Sequence, residues 1–295
     1  MLVAALQMVS TPDVDENLAT ALRLIAQAAQ AGAELVALPE YFCLMGLKDA
    51  DKLAIAEPLA DAAGPTDATD SGPERAPAVS TAGATPLQDA LSRAARQHGI
   101  WLIAGTLPLR SHEAQRVFNS MLVFNPQGQR VARYDKIHLF CFDDGQRRYD
   151  EAATLTPGHT PTAFTLTDRQ GQPWRVGLGV CYDLRFPELF RQLGAEQPLD
   201  VIVLPAAFTD TTGKAHWELL LRARAVENLC HVLAPAQGGL HASGRRTFGH
   251  SLAVGPWGEV LAVQAEGEGV VLAELDRARA SEVRTQLPAL QHRVR

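Results

Sequence analysis

Val176-Gly177-Leu178-Gly179-Val180-Cys181-Tyr182-Asp183-Leu184-Arg185-Phe186-Pro187-Glu188-Leu189-Phe190 is the stretch around which this chain is organised. It opens as a short apolar run, the mark of a buried strand, and stops at a cysteine. A polar turn follows, with Pro187 at the first position of a helix. A strand that turns into a helix at a cysteine sets the sulfur on a sharp corner. Backbone N–H groups cluster there, and the helix N-terminus favours a thiolate. Enzymes place nucleophiles at such corners. Free cysteines are also among the most buried residues, so Cys181 by itself leaves a core role equally open.

Working outward, residues 2–8 form a short buried strand, and residues 16–30 carry Leu18, Leu22, Ile25 and Ala29 on one helical face. Asp15 is the expected N-cap and Gly32 the expected stop. Residues 35–38 are a second buried strand, ended by Pro39. Strand, helix and strand at this spacing imply parallel pairing through a right-handed crossover. Glu40 therefore stands just past the carboxyl end of a strand, where open α/β sheets keep their chemistry. Tyr41 and Phe42 beside it would desolvate the carboxylate, which suits a general base; a solvated loop glutamate is the plainer alternative.

Residues 62–86 have small and polar side chains and several prolines, the composition of an exposed insertion. A helix from Pro86 to about Gly99 and a strand over residues 100–105 come next, then a hairpin of residues 117–124 and 130–134 around Asn125-Pro126-Gln127-Gly128. The hairpin delivers Tyr134-Asp135-Lys136-Ile137-His138-Leu139-Phe140. Lys136 sits among β-branched and aromatic residues rather than in a charge run. It is either a solvated lysine or a fixed ammonium that stabilises developing negative charge and keeps a nearby thiol ionised. His138 could serve Cys181 as a base, but a structural hydrogen bond is the preferred assignment. Residues 141–158 are expected to be an irregular polar loop containing Glu151.

Downstream, residues 199–204 form a strand, and residues 215–230 a helix with Leu219, Ala223, Val226 and Cys230 on its apolar face. Arg222, Arg224 and Glu227 on it read as a structural ion-pair set. A strand over residues 231–236 precedes a glycine-rich basic loop, 238–246. Strands over 251–254, 260–263 and 270–275 follow, then a terminal amphipathic helix or arm beginning at Arg277.

Composition narrows the function. The 295 residues are 46% hydrophobic and 20% charged, which defines a globular chain with a large core. A net charge of -6 argues against general nucleic-acid binding. No apolar run nears the roughly 20 residues of a membrane span, and no secretory signal is visible. Cys43, Cys141, Cys181 and Cys230 lie far apart, as suits reduced thiols in a cytoplasm. The histidines lack a ligand spacing such as HExxH, so neither a metal nor another cofactor is expected.

Glu40, Lys136 and Cys181 each follow a strand-like segment, and each brings a different part of acyl-transfer chemistry. The segments Leu38-Pro39-Glu40-Tyr41-Phe42, Tyr134 to Phe140 and Gly179 to Glu188 together resemble the nitrilase, or carbon–nitrogen hydrolase, superfamily. The likeness covers residues 1–280 apart from the 62–86 insertion, leaving 281–295 as a C-terminal arm. It implies an α/β fold of the four-layer α-β-β-α sandwich type, with subunits associating through helical faces into a homodimer or larger. It implies that Glu40 is the general base, Lys136 an oxyanion holder and Cys181 the nucleophile. Glu151 is implied as a second carboxylate, and the Tyr182 N–H completes the oxyanion hole.

Phe208-Thr209-Asp210-Thr211-Thr212-Gly213-Lys214-Ala215-His216-Trp217-Glu218, Gly249-His250-Ser251 and Pro256-Trp257-Gly258-Glu259 are similar to the branch that repairs metabolite amides. This implies a small-molecule amide of a 2-oxo acid as substrate, deaminated glutathione first and 2-oxoglutaramate as the alternative. Arg185, Phe208, Thr212 and Lys214 are then the expected substrate-binding residues, with Arg245 and Arg246 as further cations. Arg185 has a structural alternative, pairing with Asp183 or Glu188. Cys141-Phe142 departs from the acidic pair usual after His-Leu-Phe, in a loop that borders the pocket of relatives. Two rivals are a non-catalytic interaction protein on the same scaffold and an N-acyltransferase, whose usual membrane spans are missing here.

Overall fold

The computed structural model describes residues 1–60, 84–143, 145 and 148–294. The insertion expected at 62–86 thus falls, apart from its last three residues, outside the described residues. In chain order the first half comprises β1 (Leu2–Gln7), α1 (Val14–Gln30), β2 (Leu35–Ala37), α2 (Pro86–His98), β3 (Trp101–Arg110), β4 (Val117–Phe124) and β5 (Arg130–Asp135). A small hairpin, β6 (Cys141–Asp143) and β7 (Arg148–Asp150), leads to β8 (Ala163–Thr167), β9 (Pro173–Leu178), α3 (Pro187–Leu193) and β10 (Val201–Val203). Then come α4 (Asp210–Asn228), β11 (His231–Ala234) and a second hairpin, β12 (Gly238–Leu240) and β13 (Arg246–Phe248). The chain ends through β14 (Ser251–Val254), β15 (Val260–Gln264), β16 (Gly269–Glu274) and α5 (Arg277–Gln286).

These strands make two six-stranded sheets, in the orders β16-β1-β2-β3-β4-β5 and β15-β14-β11-β10-β9-β8. β1, β2 and β3 run parallel, as do β9, β10 and β11, so the crossover expected at the N-terminus is present. β16 returns from the second half to pair antiparallel with β1.

Alternation along the strands sorts the layers. Val3, Ala5, Leu35, Ala37 and Ile103 of the first sheet share a core with Val176, Leu178, Val201 and Val203 of the second. Their neighbours Ala4, Leu6, Val36 and Leu102 pack instead with Leu24 and Ile25 of α1 and Leu91 and Ala94 of α2. α3 and α4 cover the second sheet with Leu189, Phe190, Trp217, Leu221 and Ala225. The result is the expected α-β-β-α sandwich.

Several local expectations change. The N-cap of α1 is Asp13, whose carboxylate accepts from the Glu16 N–H, rather than Asp15. Residues 141–158 are not wholly irregular, since β6 and β7 pair across them, and 238–246 likewise ends in the β12–β13 hairpin. α4 begins at Asp210, five residues earlier than expected, because Thr209 caps it by accepting from Thr212 N–H. Its buried residues are Gly213, Trp217, Leu221, Arg224, Ala225 and Asn228, while Leu219 and Val226 of the expected apolar face are exposed.

Candidate active site

The site grows from three strand ends. The chain leaves β2 through Leu38 and Pro39 so close to β3 that a Cβ on Gly105 would collide with both their carbonyl oxygens. Tyr41 then takes a left-handed backbone (φ 57°), and its N–H is received by Thr106 Oγ1 at 2.8 Å. This bend turns the Glu40 carboxylate inward. There it meets three donors: Lys136 Nζ at 2.9 Å, Asn119 Nδ2 at 3.0 Å and the Ala207 N–H at 2.9 Å. Gln237 Nε2 donates to the Glu40 carbonyl at 3.1 Å and fixes its backbone.

Lys136 follows β5 and is fully buried. Its ammonium lies between two carboxylates, with Glu151 oxygens at 2.8 and 2.9 Å opposite Glu40. Burial alone would lower its pKa; the attraction of Glu151 and Glu40 outweighs that and holds it well above the ordinary lysine value. Burial would likewise raise Glu151, but the Lys136 charge and hydrogen bond pull it below the ordinary carboxylate value. Glu151 also accepts from Tyr41 OH at 3.0 Å and from the Phe140 N–H at 2.7 Å.

Cys181 opens a short 3-10 turn, Cys181–Arg185, between β9 and α3. Its backbone is left-handed (φ 49°), a conformation that costs a non-glycine residue roughly 1–2 kcal/mol. The surroundings impose it: the Cys181 N–H donates to Pro205 O at 2.9 Å, and the Val180 N–H to Asp183 Oδ2 at 2.8 Å. Burial and the neighbouring Glu40 charge push the thiol well above its ordinary value, against the pull of Lys136. Burial and the Glu40 charge thus work against the thiolate expected of the helix corner.

A cavity of about 20 Å³ lies over the sulfur, lined by Glu151, Tyr182, Arg185, Phe208, Thr212 and Arg245 among others. Arg185 does not pair with Asp183 or Glu188. Its guanidinium lies over the rings of Tyr182 and Phe208, at 5.7 and 5.5 Å, with His216 Nδ1 at 3.3 Å. Lys214 does not join the group: it is exposed, pairs with Asp210 at 2.7 Å, and faces a separate hollow beside His216 and Phe248. Arg246 is also exposed and pairs with Glu266 at 2.8 Å. His138 serves Asp183, with Nδ1 2.7 Å from its Oδ1, and stacks on Phe186. Phe140, not the departing Cys141, is the lining residue at that loop. Among the described residues no cluster of His, Cys, Asp and Glu is arranged to hold a metal ion.

Asn119 and the Ala207 N–H were missed in the sequence. A backbone donor leaves no trace there, but Asn119 did leave a signal, as an amide beside Ser120 in the mostly apolar run Val117–Phe124. Buried polar side chains in strands need partners, and its partner is Glu40.

A paired carboxylate and lysine facing a cysteine on a strand-to-helix corner, inside an α-β-β-α sandwich, define a hydrolase that cleaves carbon–nitrogen bonds. The chain belongs to that family: the carbon–nitrogen hydrolase model matches residues 2–285. It is 41% identical to a deaminated glutathione amidase from Synechocystis, over 99% of this chain and 98% of the relative. It is 36% identical to the omega-amidase NIT2 of Xenopus tropicalis, over 99% and 94%. The C. elegans NitFhit protein superposes with a TM-score of 0.82 at 33% identity, covering 99% of this chain and 65% of that one.

Proposed function

We propose that the protein is an amidase that hydrolyses deaminated glutathione, the 2-oxoglutaryl amide of cysteinylglycine, through a cysteine thioester. The observation that carries the chemistry is the Glu40–Lys136–Glu151 array beside Cys181 at its strand-to-helix corner. Glu40 takes the thiol proton as the sulfur attacks the amide carbon. The oxyanion is received by the Lys136 ammonium and the Tyr182 N–H. Glu40 then passes its proton to the leaving nitrogen, cysteinylglycine departs, and a water activated by Glu40 releases 2-oxoglutarate from the thioester. Glu151 holds Lys136 in place. Arg185, with Phe208 and Thr212 on the same wall, is suited to a substrate carboxylate.

The similarity to deaminated glutathione amidases supports this substrate, and the similarity to an omega-amidase supplies the second candidate, 2-oxoglutaramate. Both share the acyl half and differ in whether the leaving group contributes binding energy. We expect kcat/KM for deaminated glutathione to exceed that for 2-oxoglutaramate by at least about tenfold, or roughly 1.4 kcal/mol. Steady-state assays of both amides on one preparation decide it, and an equal or inverted ratio moves the protein to the omega-amidase reading.

No helix among the described residues is long and apolar enough to cross a membrane. The four cysteines are unpaired, which supports a reducing, cytoplasmic setting. The exposed Leu219 of α4 lines one hollow with the exposed Val260 and Val263 of β15, and Val226 of α4 is exposed as well. That patch supports a homodimer formed through the α4 face.

A further inference from the structure

Outside the small cavity over Cys181 lies a larger vestibule of about 450 Å³, walled by Tyr41, Lys48, Asp49, Lys52, Tyr149 and Arg245 among others. Among the described residues its charged lining is three cations against one carboxylate, on a chain whose net charge is -6. Arg245 lines both spaces, so the two lie side by side. Lys52 Nζ sits over the Tyr41 ring at 5.2 Å, with Thr154 Oγ1 at 3.4 Å. Among the described residues no carboxylate pairs with it.

A chain of contacts links Glu40 to the wall of this vestibule. The leaving nitrogen must face Glu40, which protonates it. From Glu40 the chain runs through Lys136 to Glu151 and on to Tyr41 OH, and the Tyr41 ring carries Lys52. The acyl side is taken by Arg185, Tyr182 and Phe208. In a dipeptide leaving group the terminal carboxylate lies two residues, roughly 7 Å, beyond the scissile nitrogen. That reach spans into a vestibule rather than staying in a cavity of about 20 Å³.

We propose that this vestibule is the subsite for the leaving half of the substrate, and that the Lys52 ammonium binds the carboxylate at its free end. The assignment rests on the reading of the protein as an amidase for a peptide-like 2-oxo-acid amide. Burial lowers the Lys52 pKa, against Asp49 and Glu151, and an arriving carboxylate offsets that burial.

The test uses the full chain and its Lys52→Met variant with deaminated glutathione, with the same compound capped as the glycine carboxamide, and with 2-oxoglutaramate. For the wild type, capping should lower kcat/KM by about tenfold or more, the effect of losing one charge-assisted hydrogen bond. In Lys52→Met the capped and uncapped compounds should differ by less than about threefold. The readout is the ratio between the two, so any general damage to turnover cancels. A variant that keeps the wild-type capping penalty overturns the subsite, as does a wild type indifferent to capping. In both cases a wild-type preference for deaminated glutathione over 2-oxoglutaramate leaves the substrate reading standing. A wild type preferring 2-oxoglutaramate overturns both.

Discussion

Lys136 is the residue on which the rest of the site depends, because its one positive charge separates the buried Glu40 carboxylate from the partly buried Glu151. Its replacement by Ala should remove about 3 kcal/mol or more of transition-state stabilisation, and it also leaves Glu40 and Glu151 facing each other without a counter-charge. Cys181→Ala should leave below about a hundredth of wild-type turnover in a normally folded protein, since a covalent nucleophile has no substitute. Glu40→Gln should be equally inert, because a carboxamide cannot shuttle the thiol proton, and Glu151→Gln should show a large but smaller loss. Rates paired with near-ultraviolet dichroism, to confirm folding, check all four; appreciable turnover in folded Cys181→Ala would sink the nucleophile assignment. Glu40 and Cys181 were legible because an ionisable side chain just past an apolar run is conspicuous; Lys136, after the mixed strand β5, stood out as a lone lysine among β-branched and aromatic residues. Lys52 was not, since its place depends on loops brought together only by the fold. The Lys214 expectation failed although its signal was present: Asp210 lies one helical turn before it and pairs with it.

The corner from β9 through the 3-10 turn to α3 is pinned by Asp183, a fully buried carboxylate. Oδ2 accepts from Tyr134 OH at 2.7 Å and the Val180 N–H at 2.8 Å; Oδ1 accepts from the His138 N–H at 3.0 Å, with His138 Nδ1 at 2.7 Å. Asp183→Asn must turn an NH₂ toward groups that donate, in either amide orientation. We expect a lower Tm, by several degrees for about 1–3 kcal/mol, together with a fall in kcat because Cys181 loses its seat. A variant with wild-type Tm and kcat would show that Cys181 is held by other contacts. Longer elements were readable from period and caps: α2 starts at Pro86 and stops at a left-handed Gly99, as expected. Three-residue strands such as β6, β7, β12 and β13 are too short to show alternation. The early start of α4 was masked by Gly213, which has no side chain because the Phe248 ring lies against it.

For the whole molecule, the sheets' facing arrangement was not readable from strand patterns, because these strands are buried on both faces and look uniformly apolar; only the family resemblance supplied it. The wrong face assigned to α4 has a related cause. Leu219 and Val226 are apolar yet exposed in the single chain, and sequence cannot tell a core from a subunit contact. If that face joins two copies, sedimentation of the wild type should give a dimer or larger, and Leu219→Asp with Val263→Asp should give a folded monomer; a monomeric wild type would refute the contact. One last point concerns how the site is divided. Glu40 and Lys136 ride on the first sheet, Cys181 and the Ala207 N–H on the second, and the Glu40 bond to Ala207 crosses between them. A slip of about 1 Å between the sheets would break no strand ladder, yet misplacement on that scale can cost on the order of a hundredfold in rate. Turnover is thus a vernier on the seating of one half against the other, finer than any measure of helix or strand content.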